Sequence, residues 1–182
     1  MVYHSSFKDL PPSIKISCGI PLLPLRTNTK GPSERTTDFD IVDEAIQYFR
    51  PNVLFRKFQI ESDADKLLIY LTLYISQCLK RLLLLNNNNN NNMTEGAKAL
   101  FALAHEQRDV EISEISLGGI ISEPKTFEES EIVKQYLTQC REEIGVRLID
   151  HCFIENNKPN KFWMAFAKKK FMNKELPTSI LY

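Results

Sequence analysis

Glycine is scarce in this sequence, six residues in 182, and of these only Gly118 and Gly119 adjoin. No glycine-rich loop that could cradle a phosphate can be drawn from them. Histidine is scarcer still. His4, His105 and His151 stand far apart and match no metal-ligand spacing. The four cysteines (Cys18, Cys78, Cys140, Cys152) show no CxxC pair. Cys78 and Cys140 fall on apolar helix faces, where a thiol behaves as a small hydrophobe, and all four are expected to be reduced, as in the cytosol. Charge of one sign is lacking as well: 23 basic residues meet 23 acidic ones. No global field therefore draws the chain to nucleic acid or lipid. The amino-terminal "MVYHSSFKDLPPS" has no apolar core for a signal peptide.

These gaps leave little for catalysis. His151-Cys152 invites a base-and-nucleophile reading, but adjacent helical residues point about 100° apart and do not face each other. A histidine at the end of a helix, where it suits the negative pole, is the simpler reading. Asp40 and Asp43 resemble paired carboxylates, yet capping a helix start accounts for both. The expectation is a protein with no catalytic residues, no metal ligands and no cofactor.

What is abundant is an apolar run, "KLLIYLTLYISQCLKRLLLL" at 66–85. Lys66 and Lys80 bracket 13 uncharged residues, whereas a bilayer core takes about 20 and runs of about 10–14 more often mark a core helix. Thr72, Ser76 and Lys80 form one narrow polar stripe on an otherwise apolar cylinder. Such a helix must be enclosed by protein. Ser62 and Asp65 suggest a capping box at its start, and the asparagines stop it, so a buried helix is expected over about 62–85 and no membrane insertion.

The rest of the chain divides around it. Residues 1–37 hold prolines 11, 12, 21, 24 and 32 and read as an extended arm. Residues 38–182 read as a single helical domain. A first helix begins at Asp40 and is ended or kinked by Pro51. "NVLFRKFQI" (52–60) is extended or a second half of that helix. The asparagine run at 86–92 is a solvated, tolerated loop rather than a self-association tract. A modest helix follows at 95–107. Residues 108–126 read as loop or short strand. From Thr126 one apolar face runs through Ile132, Val133, Tyr136, Leu137, Cys140, Ile144 and Leu148, with glutamates 128, 129 and 131 favouring the positive end. A last helix spans about 161–172, giving an all-α fold of about five helices with the apolar one surrounded by the others.

Charge is unevenly spread despite the zero sum. Residues 105–131 carry eight acidic side chains, and residues 155–182 carry six lysines. The last helix joins Phe162, Trp163, Phe166 and Phe171 to Lys168, Lys169 and Lys170. Either its aromatics are core and its lysines solvated, or it docks an acidic protein surface. An alternative makes it a peripheral acidic-lipid-binding module. Nucleic acid would want more basic residues elsewhere and is not expected. Leu22, Leu23 and Leu25 of the arm are too apolar for a solvated tail. They are expected, with Lys168, Lys169, Lys170 and Lys174, to contribute partner contacts.

Six stretches carry a resemblance. "YHSS" (3–6), "LLPLRTNTKGP" (22–32), "DIVDEAIQYFRPNVLFRKFQI" (40–60), "ADKLLIYLTLYISQCLK" (64–80), "EEIGVRL" (142–148) and "KPNKFWMAFAKKKFMNK" (158–174) occur in this order. Together they resemble subunit 3 of the actin-related protein 2/3 complex over nearly the whole chain, excepting about 86–125. That resemblance implies an all-helical fold of five helices, one enclosed by the others, with no known catalytic activity. It implies membership of a seven-subunit assembly with two actin-like chains, which nucleates a new filament as a branch on an existing one. The subunit would pack chiefly on the larger actin-related protein, meeting filament actin through the assembled complex. Nucleotide would bind the actin-related subunits, so no cofactor belongs here. The setting implied is cytoplasmic, in the actin cytoskeleton of cell cortex and protrusions. Two departures stand out: the asparagine tract lengthens the loop after the apolar helix, and residues 105–122 lack the family's proline-rich character. Pro51 is further expected to break the first helix early.

Overall fold

The structure is a computed structural model, and it describes residues 1–88, 92–106, 112 and 115–177. Along these residues run β1 (Ile16–Ser17), β2 (Ile20–Pro21), α1 (Ile41–Asn52), α2 (Asp63–Asn87), α3 (Met93–Glu106), α4 (Phe127–Cys152), β3 (Phe153–Ile154), β4 (Lys158–Pro159) and α5 (Lys161–Met164). The expectation of an all-α chain is thereby corrected to a mainly helical one with two short antiparallel strand pairs, Ile16–Ser17 against Ile20–Pro21 and Phe153–Ile154 against Lys158–Pro159. The first pair closes because Cys18 and Gly19 both take left-handed backbone (φ 53° and 76°), the twist that a two-residue hairpin turn requires.

The helix starts follow their sequence signals. Asp40 accepts from the amides of Val42 and Asp43, and the Asp43 carboxylate takes the Asp40 amide in return, completing a capping box for α1. Pro51 does not break α1 early. It sits in the last turn, so the donor it lacks falls at the helix end, and the helix closes with the Val53 amide donating to the Phe49 carbonyl at 2.8 Å. Ser62 caps α2 through the Asp65 amide, but the box is half-made: the Asp65 carboxylate accepts from the amides of Ser5 and Glu61 instead. α2 then runs two residues further than expected, through Asn87. The middle of the asparagine loop, 89–91, lies outside the described residues, and Asn92 already accepts from the Glu95 amide as α3 begins. Thr126 caps α4 through the Glu129 amide. Of the loop or short strand expected over 108–126, residues 108–111, 113 and 114 lie outside the described residues; 115–126 is turn and irregular chain, and Ile112, Ile115 and Ile121 are core.

α2 is buried through its middle. All 13 residues from Leu67 to Leu79 are buried, which over more than three turns covers every face of the helix. It is long and apolar enough to cross a bilayer by length and composition, yet 72% of its most apolar window is buried within the chain. Its polar stripe is satisfied internally: the Thr72 and Ser76 hydroxyls donate to the Leu68 and Thr72 carbonyls one turn back. α1, α3, α4, α5, β2 and the 3-10 turn at Ala165–Lys168 all pack on it. Arg141 of α4, only 1% exposed, donates to Tyr70 of α2 and to the Ala104 carbonyl of α3, joining three helices at one guanidinium.

The arm is fastened to this body by buried carboxylates. Glu44, fully buried, accepts from the Ser5 hydroxyl and from the Ser6 amide and hydroxyl at 2.6–2.7 Å. Asp65 accepts from the Ser5 amide and faces His4 Nδ1 at 2.9 Å, and Asn52 exchanges two bonds with the Tyr3 backbone. Further along, Tyr136 donates to the Leu23 carbonyl and Gln139 to that of Thr29. A Cβ at Gly31 would fall 2.2 Å from the Gln139 side chain, so the arm passes close to α4 there and a larger residue would make Gln139 shift.

At the other terminus the single helix expected over 161–172 is broken. α5 ends at Met164, 3-10 turns follow at Ala165–Lys168 and Phe171–Asn173, and Met172 and Asn173 take φ of 53° and 54°. Trp163, Ala167 and Phe171 are buried at a spacing of four, which mimics one helix in the sequence. Tertiary bonds decide otherwise: the Met172 amide donates to the Phe55 carbonyl, and Gln77 of α2 donates to that of Leu176.

Leu71 is fully buried on α2. Leu71→Ala is expected to cost about 2–5 kcal/mol in urea denaturation, whereas Phe101→Ala, 61% exposed on α3, should fall within about 0.5 kcal/mol.

Candidate docking surfaces

The seven expected contact residues separate into two groups. Leu22, Leu23 and Leu25 are not surface: at 7%, 4% and 0% exposure they belong to this chain's own core. The apolar demand that marked them as contacts is met inside the molecule. Lys168, Lys169 and Lys170 are exposed and Lys174 is half-buried. Glu175 accepts from Lys80 and bridges Lys170 at 3.1 Å, and these two lysines hold its carboxyl below the ordinary value. Within α5, the adjacent Phe162 (79% exposed) and Trp163 (6%) turn to opposite environments, and the segment is broken beyond Met164. The continuous amphipathic helix that a lipid-binding reading needs is not formed.

The thiols lie inside. Burial pushes Cys152 up to about 12, and Cys140 likewise up to about 12. Burial and the neighbouring Glu129 carboxylate raise Cys18 to about 11. His151 is exposed and rests on the Trp163 ring at 5.3 Å, while Cys152 faces the core, so the pair diverges.

Two adjoining grooves lie along α4, and sequence reasoning missed both. One, of about 830 Å³, is bounded by Arg26, Thr29, Arg35, Thr37, Glu143 and Val146. The second, of about 500 Å³, lies between α1 and α4 with Phe39, Arg50, Arg147, His151 and Trp163 around it, and Arg26 lines both. Helical spacing builds the second: Asp43, Ile46, Gln47 and Arg50 come from one face of α1, and Arg147 and His151 from one turn of α4. At its floor Trp163 stacks on Phe49 (centroids 5.9 Å apart, planes 9° apart) and carries the Arg50 guanidinium 5.2 Å above its ring. These arginines are dispersed through the chain rather than gathered in a run, so charge patterning did not expose them. Their one signal was position, since Arg26, Arg50 and Trp163 all stand within the stretches that carry the family resemblance.

Beneath the grooves lies an ionic node. Arg147 donates to both carboxylate oxygens of Asp40 (2.6 and 2.9 Å), reaches Asp43 at 3.0 Å and Glu143 at 3.3 Å, and donates to the Arg26 carbonyl. Burial pushes the Asp40 carboxyl upward. Hydrogen bonds from Arg147 and the Arg26 and Asp43 amides, with the Arg147 charge, outweigh burial and hold it below the ordinary carboxylate value. One residue thus caps α1, ties α4 to α1 and fixes the arm.

Fold and grooves define a mainly helical protein with two surface clefts. Comparison with known proteins gives that class its family. The family described as P21-Arc, the ARP2/3 complex ARPC3 (21 kDa) subunit, matches residues 1–176. Actin-related protein 2/3 complex subunit 3 of Arabidopsis thaliana is 45% identical over 178 residues, 95% of this chain and 98% of that protein. The subunit 3 of Dictyostelium discoideum is 40% identical over 97% of this chain and the whole of that protein, and that of Saccharomyces cerevisiae 33% identical over 96% and 98%. The chain belongs to the P21-Arc family.

The Asp40 node has a pH signature. A carboxyl lowered by folding contributes stability that is present above its unfolded value of about 3.9 and is lost as pH falls through the folded value. Asp40→Asn is expected to cost about 1–3 kcal/mol at neutral pH, because Arg147 loses the charge of the carboxylate it grips with two nitrogens. It should also flatten the fall in stability below about pH 4, as followed by denaturant titration across pH.

Proposed function

We propose that the chain is a structural subunit of an actin-related protein 2/3 complex, contributing to actin filament nucleation and branched network assembly by docking on the larger actin-related subunit. The observation that carries this reading is a family match running through nearly the whole chain, with relatives matched end to end. The role requires binding and no reaction, and it calls for no cofactor on this chain. Its other partners are the remaining subunits, with filament actin met through the assembled complex. The protein works in the cytoplasm, on the actin cytoskeleton of the cortex and protrusions.

In this reading α2 is the centre of the fold, with the other helices arranged around it as a rigid mount. Lys168, Lys169, Lys170 and Lys174 belong to the surface offered to partners. Leu22, Leu23 and Leu25 contribute from beneath, by holding the arm (residues 1–37) against the helical body. Stable partners of this kind bury about 1,200 Å² or more in total, so no single side chain carries the interface.

Gentle purification of a tagged copy is expected to yield a stoichiometric set containing two actin-like chains, and recovery of a lone monomer would contradict the reading. Changing Lys168, Lys169 and Lys170 together to Glu should lower incorporation several-fold. Unaltered incorporation and branching activity would remove those lysines from the interface.

A further inference from the structure

A small cavity of about 130 Å³ lies between α2 and the carboxyl-terminal turns, with Leu73, Ser76 and Lys80 on the helix side and Lys169, Lys174 and Glu175 across from them. Its three lysines face one carboxylate. Glu175 is gripped by Lys80 at 2.8 Å and, from beyond the lining, by Lys170 at 3.1 Å. Lys169, exposed, and Lys174, half-buried, have no carboxylate partner among the described residues. The lining therefore carries two positive charges that the chain does not balance.

The backbone bends sharply to bring these lysines together. Met172 and Asn173 both take left-handed φ, 53° and 54°, a costly conformation for side-chain-bearing residues that collects at ligand sites. Tertiary bonds hold the bend: the Met172 amide donates to the Phe55 carbonyl at 3.0 Å, and Gln77 of α2 donates to that of Leu176 at 2.8 Å. The Lys174 amine lies against the turn at Gly118, where a Cβ would stand 3.2 Å from Nζ. A cation positioned in this way loses little freedom when an anion arrives.

We propose that this cavity binds a phosphate monoester, with the phosphate seated between Lys169 and Lys174 in front of the Lys80–Glu175 pair. Charge identifies the class. A monoester carries about −1.5 to −2 at neutral pH, which matches the surplus of two, whereas a carboxylate or a phosphodiester brings one negative charge and leaves a lysine unmatched. Size agrees, since the volume is that of roughly four waters at about 30 Å³ each, room for one phosphate group but not for a nucleotide. A ligand with several monoesters on a compact frame would place a second one by Lys170. Lys169, Lys170 and Lys174 also belong to the surface assigned above to partners, but the phosphate site needs this chain alone.

The test titrates the full-length chain with inositol 1,4,5-trisphosphate by calorimetry, with dimethyl phosphate as a diester control. The trisphosphate is expected to bind saturably, one per chain, and dimethyl phosphate at least tenfold more weakly. Lys169→Gln and Lys174→Gln should each weaken it several-fold and together at least tenfold, while Lys98→Gln on α3 leaves it unchanged. Lys169 is exposed and unpaired, so its variant retains the test if Lys174→Gln melts early. Affinity should fall from pH 7 to pH 5, because a monoester takes up its second proton near pH about 6. Glu175, the carboxylate facing it, is held below its ordinary value and stays ionised over that range. Capture by phosphatidylcholine vesicles containing phosphatidylinositol 4,5-bisphosphate would assign the monoester to a lipid headgroup, and trisphosphate binding without capture would assign it to a soluble molecule. No saturation by about 1 mM, equal binding by the double variant, or equal affinity for dimethyl phosphate would overturn the proposal. These outcomes are independent of complex membership, which stands or falls on recovery of actin-like chains with the unmodified tagged protein.

Discussion

The fold depends on burying one long helix on every side. Between Lys66 and Lys80 the chain offers no charge and little polarity: Thr72 and Ser76 turn back on the helix's own carbonyls, while Tyr70 meets Arg141 and Gln77 the Leu176 carbonyl. Each large apolar side chain enclosed there contributes about 1.5–3 kcal/mol, but only if neighbours supply the walls. That requirement sets the rest of the architecture: α1, α3, α4 and the carboxyl-terminal turns each present an apolar face to α2 and a polar one outward. It also accounts for the arm. Leu22, Leu23 and Leu25 are interior side chains, and the hydrogen bonds to Glu44, Asp65 and Gln139 hold their segment in place.

Much of this was legible in the sequence because it is local. Asp40 with Asp43, Ser62 and Thr126 announce helix starts through side chains that reach amides two or three residues away. The apolar periodicity of α4 and the near-continuous run of α2 need no tertiary knowledge either. What was lost is what distant residues decide. Trp163, Ala167 and Phe171 repeat every four residues and so imitate one helix, while bonds from Met172 to Phe55 and from Gln77 to Leu176 break the segment into turns. Two-residue strands are too short to leave a periodic trace. Buried charges defeat the usual inside-outside rule: Glu44, Asp65 and Arg141 are interior because partners elsewhere in the chain satisfy them.

The surface was legible to a lesser degree, for the same reason. A run of three lysines is visible in a string of letters, and it is exposed in the structure. The arginine grooves are not visible, because Arg26, Arg35, Arg50 and Trp163 are brought together only by the packing of α1 on α4 and the passage of the arm across both. The Asp40–Arg147 node helps to make this assembly. It caps a helix, joins two elements and neutralises one arginine.

Native-state hydrogen exchange tests the enclosure of α2 most directly. The amides of residues 67–79 are expected to exchange only through global unfolding, with protection tracking total stability as denaturant is added. Exchange of that segment by local opening, at rates like those of the exposed helix ends, would contradict the claim that its neighbours wall it in.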